Sequence, residues 1–373
     1  MPSTVGGNPQ GISKHLNKLG VKSETWVLSQ NYFGYPADKV LCKEDQGLVL
    51  RELKRILALR YIFRTDVVFF NCGTGFFSPN IAINYQKYSG YKKVLLKIYA
   101  SYSSIMSKIE LGLISLLNKP IFIQYQGSDA RQGDFCRKHF EIHFADRVAK
   151  RLNSLASDEA KRKSIAVYAK RVSKIYALNP DLLHVLPGTA EFLPYSHISL
   201  YEWEPVYTQL QKRPLRIGHA PSHRAIKGTD LLLDAVESLK LGGFEFELVL
   251  VEGKSNTEAR EIYKTVDVLV DQLFAGWYGG LAVEAMALGK PVVAYIRQGD
   301  LHFIPELMRS ELPIIQAEPS TIRDVLERIL KTPRAELVEK ARDSRAYVER
   351  WHDPIAIARR IKADMEATLR QKR

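Results

Sequence analysis

Short runs of Val, Ile, Leu and Phe alternate along this chain with longer stretches in which apolar side chains return every third or fourth position. The runs fall at 24–29 (ETWVLS), 66–71 (DVVFFN), 120–125 (PIFIQY), 174–179 (KIYALN), 215–219 (LRIGH), 245–251 (EFELVLV), 266–271 (VDVLVD) and 291–296 (PVVAYI). Each is strand-length and bounded by turn-forming or polar residues, which predicts strands. Helices are predicted over 46–63, from 158 to the strand at 174, after the loop that follows 219 as far as 240, and over 257–265, 303–309, 320–331, 335–349 and 354–369. Residues 5–20 predict a glycine-rich turn and then a helix with Ile12, Leu16 and Leu19 on one face. Strands that alternate with helices in this way predict parallel α/β sheets. The stretch 91–117 has helical composition but is apolar on most sides, with Tyr91, Tyr99 and Tyr102 and lysines at 92, 93, 97 and 108. It fits a core helix, or an interfacial one carrying aromatics and lysines at headgroup level.

One unit, Val266 to Ile296, carries chemistry as well as pattern. A Val-rich strand runs into a loop with Gly276, Gly279 and Gly280. An Ala/Leu/Met helix bearing Glu284 follows and stops at Gly289, and Pro291 opens the next strand. The N-terminus of a helix after such a loop turns its N–H groups and positive dipole end outward, which suits phosphate or sugar oxygens. A carboxylate one turn in accepts hydrogen bonds from hydroxyls of the same ligand. A glycine-rich loop alone fits a plain strand–helix–strand unit equally well.

The segment GWYGGLAVEAMALGKPVVAY resembles the most characteristic stretch of the GT-B glycosyltransferases, in particular the retaining family four, whose pattern is roughly Glu-Gly-Phe-Gly, a few residues, Glu-Ala-Met-Ala, a spacer and Gly-x-Pro-Val-Val. Gly276 stands where that family has the first of two glutamates; the second is Glu284. The strand ending QGSDAR resembles the family's His-Gly-Ser-Asp-x-Arg loop, with Gln126 in place of histidine. NPDLLHVLPGTAEFLP looks like the stretch that precedes the donor domain, and Arg224 with Lys227-Gly228 resembles the basic pair that holds the donor pyrophosphate. The resemblance implies a GT-B architecture of two Rossmann-like α/β domains facing across a cleft: 1–197 on the acceptor side, 198–350 binding the nucleotide sugar, and 351–373 a helix crossing back to the first. Proline at 194, 205 and 214 marks the connection.

At 373 residues the chain fits two domains of about 150 to 200 residues. Its net charge of +13 is unevenly spread: residues 1–200 hold 28 Lys and Arg against 15 Asp and Glu, and the remainder holds 26 of each. The basic half predicts an anionic partner there, such as an acidic membrane surface or phospholipid-linked substrate, with nucleic acid as a third possibility. The positive charges lack interleaved aromatics on a recognisable nucleic-acid-reading motif, so the expected partners exclude nucleic acid. Three cysteines, Cys42, Cys72 and Cys136, without metal-ligand spacing predict a reducing compartment and no zinc. There is no basic and apolar leader pattern and no apolar run long enough to span a bilayer, which predicts a cytoplasmic protein, peripheral at most on the inner face of a membrane.

The expected activity is transfer of a sugar from a nucleoside-diphosphate sugar to the hydroxyl of a glycan or lipid-linked acceptor, with retention of configuration, in glycolipid or surface polysaccharide synthesis. No Asp-x-Asp sequence occurs, so metal-independent catalysis without a cofactor is expected, the nucleotide sugar being co-substrate. Lys227 and Arg224 neutralise the departing diphosphate. Glu284 binds the ribose hydroxyls as the family's second glutamate does, and Gly279 and Gly280 offer backbone N–H groups. Asp129 and Gln126 face the reacting sugar, although Asp129 fits a cap as well. Gly6, Gly7, Gly127, Gly228 and Arg131 complete the predicted substrate contacts, and His219 reads as a packed strand residue. Both family positions now held by Gly276 and Gln126 normally contact the donor sugar. A nucleotide-sugar epimerase of the same fold and a basic nucleic-acid-binding protein are the competing expectations; the matching loops lack the acid/base pair an epimerase needs.

Overall fold

The structure is a computed structural model that describes residues 7–30, 34–43, 45–81, 90–147, 154–207 and 213–372. In the N-terminal half, helix α1 (Asn8–Lys18) precedes a small parallel pair, β1 (Trp26–Val27) and β2 (Lys39–Val40), and then α2 (Leu48–Ala58) with its 3₁₀ extension to Arg64. Strands β3 (Val68–Asn71), β4 (Ile121–Tyr125), β5 (Lys174–Ala177) and β6 (Ala190–Phe192) form a parallel sheet in that spatial order. Helix α3 (Gly90–Leu116) lies between β3 and β4 in the chain, and α4 (Gly133–His139) and α5 (Leu155–Ala169) between β4 and β5. Alternation along β4 explains its sequence. Ile121, Ile123 and Tyr125 enter the core beneath α3 and α5, whereas Phe122 points to the other face against α1. Covered on both faces, the strand has no place for an exposed side chain and is apolar except at Gln124, which accepts from Asn8 Nδ2 at 2.9 Å.

The C-terminal half repeats the plan. Strands β7 (Leu215–His219), β8 (Phe246–Leu250), β9 (Val268–Val270), β10 (Val292–Ala294) and β11 (Ile315–Gln316) are parallel, in the order β11-β10-β9-β7-β8. Between them come α6 (Arg224–Lys227), α7 (Thr229–Leu241), α8 (Asn256–Lys264), α9 (Gly280–Ala287) and α10 (Glu306–Ser310); α11 (Ile322–Lys331), α12 (Arg334–Trp351) and α13 (Pro354–Gln371) follow. Val268 and Val270 face one core and Leu269 the other. The strand order reverses direction between β7 and β9, and open parallel sheets hold ligands outside the carboxyl ends of strands at such a point.

Helix α13 returns to the N-terminal half. Its Ile357, Ala358 and Ile361 pack with Ile12 and Leu16 of α1 and with Phe122 and Tyr176 of the sheet, and Lys362 Nζ donates to the Leu19 carbonyl at 2.9 Å. The run at 24–29 shortens to two strand residues, because it pairs only with β2 outside the main sheet. The helix expected at 303–309 is interrupted: a 3₁₀ turn ends at Phe303 and α10 begins after Pro305, which cannot donate to a preceding turn. Strands β2, β6 and β11 are only two or three residues long and leave no periodic signal.

Helix α3 divides its surface unexpectedly. Ser103, Ser107, Glu110, Leu111 and Ile114 are buried, while Val94, Ile98, Ile105 and Ile109 are exposed on the opposite side. Glu110 accepts hydrogen bonds from the Phe76 and Phe77 N–H groups at 2.8 and 3.1 Å, and burial pushes its carboxyl up to about 7. Among the described residues no helix is long and apolar enough to cross a membrane.

Candidate active site

The strand reversal directs attention to two loops, the one after β7 and the one after β9. The second begins with Asp271, fully buried at the end of the apolar VDVLVD run. A carboxylate there needs compensation. It is paired with Lys227 from the first loop, and its Oδ2 accepts the Gly279 N–H at 2.7 Å. Lys227 is itself largely buried, so the two crossovers are joined by an ion pair beneath the start of α9. No side chain caps α9, and the N–H groups of its first turn point outward for want of intrahelical acceptors. A Cβ at Gly279 would lie 3.3 Å from Asp271 Oδ2, 3.5 Å from Lys227 Nζ and 3.6 Å from Gln272 Nε2. The missing side chain lets the turn at Gly279 pack directly on these buried polar groups.

One turn along α9, Glu284 gathers groups from distant segments. Its Oε1 accepts from Asn256 Nδ2 at 2.9 Å and from the Tyr35 hydroxyl at 3.3 Å, and lies 3.4 Å from His197 Nε2. The His197 side chain is 2% exposed, and neither ring nitrogen has a hydrogen-bond partner among the described residues. It lies against the α9 N-terminus, since a Cβ on Gly280 would be 3.3 Å from His197 Cε1. Gly7 opens α1 in the left-handed region, at φ 64°, where a Cβ would strike the Tyr35 ring; glycine lets that ring reach Glu284. Gly6 lies outside the described residues.

From this cluster a polar chain leads to the N-terminal sheet. The His197 and Tyr195 rings are 5.9 Å apart, the Tyr195 hydroxyl donates to Asn179 Oδ1 at 2.9 Å, and Asn179 Nδ2 donates to the Gln126 carbonyl at 2.6 Å. Gln126 Nε2 is buried without a partner among the described residues. Asp129 accepts the N–H groups of Gln126 at 3.0 Å and Gly127 at 2.6 Å, which locks the turn after β4; burial raises its carboxyl pKa. Arg131 is committed to the buried Asp181 and lies 5.3 Å from the Phe144 ring centroid. Thus Lys227, Gly279, Gly280 and Glu284 converge, with Gly7 behind Tyr35, and Gln126, Gly127 and Asp129 form the turn at the far end of the chain of contacts. Arg224 turns aside into an exposed pair with Glu252 at 2.6 Å. Gly228, at φ 78°, joins α6 to α7 and packs on Leu273.

His197, Tyr35, Asn256 and Asp271 did not stand out in the sequence; of these only Asp271, a charge closing an apolar strand, carried a signal. A cavity of about 920 Å³ is walled by β11 and helices α10 to α12 and shares none of these residues. Among the described residues no three His, Cys, Asp or Glu side chains converge as metal ligands would.

No protein family model and no curated protein matches the sequence. Solved structures do match over nearly the whole chain. Sucrose-phosphate synthase from Thermosynechococcus elongatus is 13% identical with a TM-score of 0.62, covering 99% of this chain and 98% of its own. HepE from Anabaena, in complex with UDP-glucose, is 12% identical with a TM-score of 0.57, covering 98% of each chain. WaaG, a glycosyltransferase involved in lipopolysaccharide biosynthesis, is 14% identical with a TM-score of 0.52, covering 98% of this chain and 96% of its own. The chain has the GT-B fold. Within this GT-B architecture the α9 cluster belongs to the C-terminal sheet and the Gln126 turn to the N-terminal one.

Two buried histidines tie neighbouring elements together. His219 Nδ1 donates to the Val270 carbonyl at 2.9 Å and its Nε2 meets the Thr229 hydroxyl at 2.8 Å; His352 Nδ1 donates to the Tyr195 carbonyl at 2.9 Å and Nε2 meets the Tyr278 hydroxyl at 2.9 Å. Burial lowers both to about 4 from the ordinary 6.5. Between those values the unfolded chain takes up protons that the folded chain refuses. This contribution to stability is therefore complete above pH 6.5 and is lost as the pH falls to 4. Denaturant titrations should show a loss on the order of 1 kcal/mol per pH unit for each histidine in that window. The slope should shrink in His219→Asn.

Proposed function

We propose that the chain transfers a sugar from a nucleoside-diphosphate sugar to an acceptor hydroxyl, with retention and without a metal ion. The observation that carries this is the convergence of Lys227, the uncapped start of α9, Glu284 and the buried His197 side chain beside it at the strand reversal. A cation beside helical N–H groups suits a diphosphate, and a carboxylate one turn away suits the ribose hydroxyls. The His197 ring lies against the start of α9, on the side where the same phosphates would sit. In the reaction the bond from the anomeric carbon to the diphosphate oxygen breaks. The acceptor oxygen bonds to that carbon on the same face, and its proton passes to the leaving phosphate, so no protein nucleophile is required. Lys227 and the helix terminus stabilise the charge that develops on the diphosphate. Gln126, with an unused amide donor, is the group we assign to the sugar from the opposite wall. The acceptor is a glycan or a lipid-linked hydroxyl, in glycolipid or surface polysaccharide synthesis, and the site of action is cytoplasmic.

A thermal-shift panel of UDP-, GDP-, ADP- and dTDP-sugars tests the donor site, since a ligand that binds only the native state raises its stability by mass action. At least one member should raise the melting temperature. Glu284→Ala should weaken that ligand by about 1.5–3 kcal/mol, roughly 10- to 100-fold in Kd, by calorimetry. A flat response across the panel sinks the donor assignment. Turnover that vanishes with chelator and returns with manganese sinks the metal-independent mechanism, and interconversion of the nucleotide sugar without acceptor would favour epimerisation.

A further inference from the structure

The surface of the N-terminal half is inverted over α2 and α3. Among the described residues 22 large apolar side chains are exposed, and 14 of them lie between Leu48 and Phe63 or between Tyr91 and Leu116. Such clustering marks an interaction face rather than the scattered exposure usual for soluble proteins. On α2 the exposed positions are apolar, among them Val49 at 84%, while the buried Arg55 turns inward to the Phe76 carbonyl and Glu52. On α3 the exposed stripe is opposite the residues that meet the core. The two helices are tied side by side, for Tyr99 of α3 donates to Glu52 of α2 at 2.9 Å and accepts from Arg55 at 3.2 Å.

Charge identifies the occupant. The segments 48–64 and 90–116 carry nine Lys or Arg and only two acidic residues, Glu52 and Glu110. Both acids are turned inward, against Arg55 and against the Phe76 and Phe77 N–H groups. Arg60, Arg64, Lys92 and Lys108 are exposed. A face with an apolar centre, basic residues around it and no outward acid complements an anionic lipid surface. The side chains reach the acyl boundary while lysines and arginines stay among the headgroups. Neither helix is apolar enough to cross a bilayer, so the helices lie on it.

We propose that the α2–α3 face docks the protein on an anionic bilayer. This holds whether or not the chain transfers sugars, and its test needs no nucleotide. The full chain is floated with vesicles of phosphatidylcholine alone and of an equimolar phosphatidylglycerol–phosphatidylcholine mixture, beside Val49→Glu/Ile98→Glu, whose two positions are exposed. The wild type should rise with the mixed vesicles, less so as salt increases, and remain below with phosphatidylcholine alone. The double variant, with an unchanged circular dichroism spectrum and melting temperature, should bind roughly tenfold less or weaker, as expected when Leu-sized side chains no longer enter the interface. The proposal is overturned if the wild type stays below with both vesicles, or if the variant floats as well as the wild type. It is also overturned if light scattering shows a lipid-independent dimer that the variant dissolves, because a second copy then covers the face.

Discussion

Lys227→Ala is expected to abolish most donor turnover and to weaken the folded state at the same time. The ammonium lies beside the uncapped start of α9 and balances the fully buried Asp271. Losing it from a diphosphate site should lower kcat/KM by about 10²–10³-fold, the range seen when one preorganised donor to a developing charge is removed. Left behind, Asp271 retains the Gly279 N–H but not its counter-ion, and breaking a buried pair from one side costs about 3–5 kcal/mol. The two effects separate in Lys227→Met/Asp271→Asn. That variant should regain most of the lost denaturation midpoint but not nucleotide-sugar affinity. A Lys227→Ala protein that binds nucleotide sugar as tightly as the wild type would remove the donor site from this part of the molecule.

Gly276→Glu, the change that writes the resembled family's first glutamate into the chain, is expected to destabilise it by roughly 4 kcal/mol or more without gain of activity. Gly276 sits at φ 78°, where a side chain costs about 1–2 kcal/mol, and a Cβ would stand 2.6 Å from Cζ of Arg297. Arg297 has little room to withdraw. It donates to Asp300 at 2.8 Å and to the Ile142 carbonyl at 2.9 Å, and lies over the Phe140 ring at 3.6 Å. Asp300, 1% exposed, also faces His184 Nε2 at 2.9 Å. The new carboxylate therefore evicts a guanidinium that tethers the two halves of the molecule. Unfolding by denaturant gives the magnitude; a wild-type midpoint for Gly276→Glu contradicts this account. The departure from the family pattern is thus a replacement: where that pattern presents a carboxylate, this chain seats a cation stacked on an aromatic ring.

What the sequence made legible was whatever is written locally. The strand, glycine loop and helix from Val266 to Ile296 could be read because three glycines, an Ala/Leu/Met helix and a proline punctuate about thirty residues. Lys227 could be read because, with Arg224 and Gly228, it resembles the family's basic pair for a pyrophosphate. His197 could not be, since it lies in a polar, aromatic stretch whose prolines read as a connection. Only folding brings that stretch against Gly280 and Glu284. Tyr35, which meets Glu284 across 249 positions of sequence, and Asn256, the first residue of a helix, are placed wholly by tertiary packing. Arg224 shows the converse. Its chemistry suited a phosphate, but Glu252, just past the neighbouring strand, holds its guanidinium.

The return of α13 to α1 means that the polypeptide passes between the halves twice, once after β6 and again between α12 and α13. Two covalent crossings behave like the two pins of a door. They restrain twisting and sliding more than swinging about the line that joins them, so any movement of the halves is favoured along that one axis.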